Sequence, residues 1–141
     1  MNHRISAEDE SFRTEFEACR VPLGEFDHRA HVRLAYVYLC EHDDEGAQRA
    51  MRAALLAYLT HHGVDPAKYH ETLTRAWILA VRHFMSKSTG TGSADELISR
   101  HPEMLDSKIM KTHYSTELLF SPAARATFVE PDLDPIPRYE R

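Results

Sequence analysis

No stretch of this sequence stays apolar for long. The longest such runs, LAYVYLC at 34–40 and AWILAV at 76–81, are far shorter than the roughly 18 to 20 residues a membrane span needs, so no transmembrane helix is expected. The opening MNHRISAEDE lacks the basic patch and apolar core of a signal peptide, which makes the cytoplasm the expected location. A basic excess is missing too. With 17 Lys and Arg against 22 Asp and Glu, the formal net charge is -5, so the basic stripe of a nucleic-acid binder is not there. Five glycines in 141 residues are too few for the tight turns of an all-β meander. Cysteine is scarce: Cys19 and Cys40 form no CxxC, which removes zinc ribbons and dithiol redox motifs, and both read as small apolar residues on separate helices. GxSxG, Walker, HExxH and GxGxxG patterns do not occur, so acyl transfer, nucleotide binding and zincin chemistry have no support.

What the chain does have is helical signal, on an apolar share of 43% and a charged share of 28% that suit one folded domain, 1–141, rather than disorder. Ser6 with Asp9 reads as a capping box, followed by Phe12, Phe16 and Cys19 at helical spacing. Pro22 and Gly24 end that helix, and Asp27 caps a second at about His28 to Cys40. A third runs from about Glu45 to Thr60 on a stripe that includes Ala47, Met51, Leu55 and Tyr58, with Gly63 as its stop. Asp65-Pro66 predicts the start of a fourth, reaching about Met85 through Tyr69, Leu73, Trp77 and Phe84. Beyond STGTGS, the signals Ser93 with Glu96, Ser115 and Ser121-Pro122 announce short helices, and the proline-rich VEPDLDPIPRYER must be extended. The expectation is an all-α bundle of four main helices, short C-terminal helices and an extended tail.

Ten histidines are present, and the question is which of them lie on apolar faces. In FDHRAH, His28 and His31 share a face with Val32, Ala35 and Leu39, and a pair one turn apart can converge on one ion. The positive end of the helix disfavours protonation and keeps the imidazoles in their metal-binding form. In KYHETLTRAW, a helix starting at Asp65 puts His70 in its second turn and facing inward with Thr74 and Trp77. His28, His31 and His70 are therefore candidate ligands of a divalent transition metal (Zn, Fe or Cu), three imidazoles that leave an open coordination position. Glu71 is a candidate fourth ligand, acceptor for a ligand histidine's other N–H, or general base on bound water, and the hydroxyls of Tyr69 and Thr74 are candidate substrate contacts. The alternative is structural: one histidine caps or packs while another donates to a backbone carbonyl. His42-Asp43 supplies the dipeptide of HD hydrolases, but it lies in the polar linker EHDDEG rather than on an apolar face.

FDHRAHVRLAYVYL, YHETLTRAW and LFSPAARATFVEPDLDPIP, in that order, resemble a group of small bacterial conserved hypothetical proteins. That group's pattern is aromatic-Thr-His-x-x-His, Tyr-His-Glu-Thr, Ser-Pro-x-Ala-Arg and Val-Glu-Pro-Asp-Leu. The resemblance spans about Phe26 to Pro137 and departs at Asp27, where the group has threonine; either residue caps a helix. It implies a shared fold and site but no reaction, and it adds Arg125, a candidate for a substrate carboxylate or for a tail-pinning pair with Glu130 or Asp132. Two functions follow as expectations. One is a metal-dependent enzyme acting on a small molecule; the other is a metal-free helical ligand-binding or interaction module with hydrogen-bonded pocket histidines.

Overall fold

In a computed structural model, residues 2–137 are described, and they are all-helical. Four longer helices form the body: α1 (Ala7–Glu17), α2 (His28–Glu41), α3 (Asp44–His61) and α4 (Glu71–Ser86). Shorter ones follow: α5 (Ala94–Arg100), α6 (Thr116–Leu119) and α7 (Pro122–Ala126). Single 3₁₀ turns at Leu23–Glu25, Pro66–Lys68, Pro102–Leu105 and Ser107–Thr112 fill the connections. No described helix is long and apolar enough to cross a membrane.

Most helix starts sit where the capping chemistry puts them. Ser6, Asp27, Asp43, Ser93, Ser115 and Ser121 each accept a backbone N–H of the first turn through the side chain, which satisfies one of the four donors a helix start leaves open. The Ser6 box is reciprocal, with Asp9 accepting from the Ser6 N–H at 3.0 Å. Asp9 does more than cap. It is 1% exposed, and its Oδ2 also accepts from the Ala94 N–H at 2.9 Å, fastening the start of α5 to α1.

The fourth helix departs from expectation. Asp65 and Pro66 do open a turn, with the Asp65 carboxylate on the Ala67 N–H, but the turn ends at Tyr69, whose ψ of 137 is extended. The helix begins afresh at Glu71 with His70 as its cap. His70 therefore precedes the helix instead of lying in its second turn.

The core is one cluster around Phe16, Leu34, Tyr36, Met51, Tyr58, Ile78 and Met85, to which every longer helix contributes. Side-chain pairs set α3 and α4 antiparallel: Asp44 meets Arg82 at one end and Arg52 meets Glu71 at the other. Arg82, 5% exposed, also donates to the carbonyls of Leu39 and His42 at 3.3 and 3.1 Å. One buried guanidinium thus answers the C-terminal carbonyls of α2 while tying α3 to α4.

After α7 the chain runs as an extended strap across the helices. Thr72 holds it at two points, donating its hydroxyl to the Thr127 carbonyl at 2.9 Å and accepting the Val129 N–H at 3.1 Å. Tyr114 donates to the Val129 carbonyl, Asp132 accepts from the Ser115 N–H, and His113 sits against the Asp134 carbonyl. Ile136 is buried at the far end. The last part of the expected extended tail, 138–141, lies outside the described residues.

Candidate functional site

The three candidate histidines have separate surroundings. His70 accepts the Leu73 N–H on Nδ1 at 3.1 Å, so the proton is on Nε2, which donates to the Leu119 carbonyl at 2.7 Å. Both nitrogens are spent on the backbone: one caps α4 and the other binds α6 to it. Burial lowers the His70 pKa further below the ordinary value, in keeping with a neutral capping ring. His28 donates Nε2–H to the Met104 carbonyl at 2.9 Å and meets the Trp77 ring edge-on at 4.5 Å. His31, one turn on, has its centroid 6.4 Å from that of His28 and packs edge-on to Phe26. Burial and the neighbouring His28 push its pKa down to about 4. His28 and His31 are thus brought together, but His70 is not available to them. Among the described residues no group of three or more His, Cys, Asp or Glu is placed to hold a metal ion.

Glu71, the residue after the cap, points elsewhere. It is 7% exposed, takes both Nε and Nη2 of Arg52, and accepts the Tyr69 hydroxyl at 2.6 Å. Burial alone would raise its pKa; the Arg52 and Tyr69 hydrogen bonds, with a smaller pull from Gln48, bring it below the ordinary carboxylate value. A carboxylate so engaged is held ionised and oriented rather than poised to take a proton. Tyr69 is pushed up to about 12 by burial and by Glu71, which fixes it as a neutral donor. Thr74 is buried and its hydroxyl donates to the His70 carbonyl, a back-bond within the helix.

Glu71 is one wall of a cleft of about 350 Å³ lined by Gln48, Arg49, Arg52, Arg75, Phe128 and two further glutamates, Glu45 and Glu130. Glu45, Gln48, Arg49 and Arg52 follow each other along one face of α3. Glu71 and Arg75 do the same on α4, and the strap supplies Phe128 and Glu130. Arg75 lies over the Phe128 ring at 5.8 Å, a cation–π contact. Gln48 is 5% exposed: its amide N–H reaches toward Glu71 as a weak hydrogen bond that helps hold that carboxylate ionised, and its amide oxygen completes none. Burying an amide that way costs about 1 to 3 kcal/mol.

The spacing of the sequence did not mark this cleft. A polar i, i+3, i+4, i+7 row on α3 reads as a solvent face, and the distant Phe128 closes over it through tertiary bonds of the strap, those to Thr72 and Tyr114 among them. Arg125 is outside the cleft wall, with Nη1 donating to the Lys68 carbonyl at 3.4 Å. Among the described residues it forms no salt bridge with Glu130 or Asp132; the Asp132 carboxylate accepts from the Ser115 N–H. A second cleft, of about 280 Å³, lies between the end of α4 and the strap, with a mainly apolar wall that includes Phe84, Ile109, Met110 and Ile136. No family model, curated protein or solved structure matches the chain, so function is argued from these residues.

Proposed function

We propose that the protein is a small helical module that binds a small molecule in the α3–α4 cleft without a metal ion. The observation that carries this reading is Gln48. Its buried amide oxygen, with no hydrogen-bond partner among the described residues, lies in the wall of a cleft whose neighbouring groups are arranged and charged. An unmet buried amide oxygen is rare because it is costly, and a ligand that supplies a donor, met by a small turn of the side chain into the cleft, removes that cost. Glu71, held by Arg52 and Tyr69, shapes the end of the cleft. The histidines serve the fold: His70 and His28 are bonded to carbonyls. Cys19 and Cys40 are free thiols, which suits a reducing, cytoplasmic setting.

Elemental analysis and thermal denaturation of the untagged protein test this directly. The expectation is no stoichiometric metal and no change in Tm on adding a chelator or Zn, Fe or Cu. Stoichiometric metal lost together with stability in His28→Ala and His31→Ala would overturn the reading in favour of an imidazole metal centre.

A further inference from the structure

We infer that the ligand of this cleft is a small organic carboxylate, its anionic end held between Arg49 and Arg75 and its neighbouring polar group bonded to Gln48. The inference rests on the cleft being a binding site and names what it binds. Arg52 is committed to Glu71. Arg49 is exposed and forms no ion pair or hydrogen bond among the described residues. Arg75 has only the Phe128 ring against its guanidinium, with no hydrogen bond or ion pair to a described residue. The antiparallel register places these two guanidiniums across the same stretch of cleft, midway between the Asp44–Arg82 and Arg52–Glu71 ties. Two forked donors facing one space match the planar, two-oxygen geometry of a carboxylate.

The acidic residues decide between anions. Glu45, Glu71 and the engaged Glu130 also line the cleft, so a phosphate dianion would meet three carboxylates with two uncommitted guanidiniums to offset them. A monoanion meets half that repulsion and satisfies the same donors. Phe128, flattened against Arg75, offers an apolar face to the rest of the molecule. The Gln48 amide oxygen asks for a donor, which the N–H of a secondary amide or a hydroxyl beside the carboxylate provides.

Isothermal titration of the full-length protein with hippurate tests the inference, because that molecule has a carboxylate, an adjacent secondary amide and a flat apolar end. Benzoate, the neutral primary amide of hippurate, inorganic phosphate and benzylamine serve as comparisons. Hippurate binds, benzoate binds more weakly, and the three others do not compete. Arg49→Gln and Arg75→Gln each weaken hippurate by about tenfold or more; Arg49 is exposed, so its variant keeps the fold. Gln48→Leu weakens hippurate and leaves benzoate unchanged. Equal binding of the neutral amide, or hippurate binding untouched by Arg49→Gln and Arg75→Gln, overturns the carboxylate inference while a Gln48-dependent cleft stands. Preference for phosphate through the same arginines also overturns it. Absence of binding by every probe at millimolar concentration overturns the cleft reading itself.

Discussion

His70 and Glu71 are adjacent in sequence yet belong to different parts of the molecule. The helix begins between them. His70 keeps an extended conformation, with φ -123 and ψ 105, so its ring folds back over the first turn, while Glu71 takes the first helical position and faces Arg52 on α3. His70→Ala should lose both a cap and a bond to the Leu119 carbonyl, a cost of about 2 kcal/mol. His70→Asn should recover roughly half of that, because asparagine caps as well but cannot also reach Leu119. Urea midpoints of the three proteins check it; an alanine variant as stable as the parent would remove the capping role.

At the scale of elements, the helix starts were the most legible feature, since Ser and Asp at those points have a local hydrogen-bonding reason to be there. The start of α4 was not. Asp65-Pro66 is a true initiation signal, but it opens a 3₁₀ turn that Tyr69 breaks, and a histidine cap has no comparably strong local signature. Arg82 was equally hidden: on an apolar helix its charge reads as surface, whereas it lies 5% exposed between Asp44 and the last carbonyls of α2. The candidate site followed the same rule. Glu71, chosen for its place beside His70, lines the cleft, but its partners Arg52 and Gln48 sit on a face that periodicity assigns to solvent. Arg82→Met should cost about 2 to 3 kcal/mol, less than a fully buried pair because Asp44 is partly exposed. Arg82→Lys should restore little, since an ammonium cannot span three acceptors on two helices. Chemical denaturation separates these outcomes, and a methionine variant of undiminished stability would show the tie to be dispensable.

At the scale of the whole molecule, the buried and half-buried imidazoles set the acid side of the stability curve. His3, His31, His70 and His83 all have lowered pKa values, burial being the first cause in each. The unfolded chain therefore binds protons that the folded chain refuses. Their contribution is complete above the ordinary value of 6.5 and is lost as pH falls through the lowered values, to about 4 for His31. Below that range, protonation of Glu71, whose ordinary value is 4.5, removes its hold on Arg52 as well. Denaturation midpoints measured from neutral pH down to about pH 4 should decline throughout this window, and His31→Gln should flatten the decline. A parent curve level across the window would show that these rings titrate freely in the folded protein.

The strap has a temporal consequence. Phe128 and Glu130, which close the cleft, come more than fifty residues after Glu71 and are held by Thr72. During synthesis the four longer helices emerge and can pack while the cleft still lacks that wall, so the ligand capture proposed above waits until the strap has emerged. A chain cut short of Phe128 is accordingly expected to be blind to that ligand.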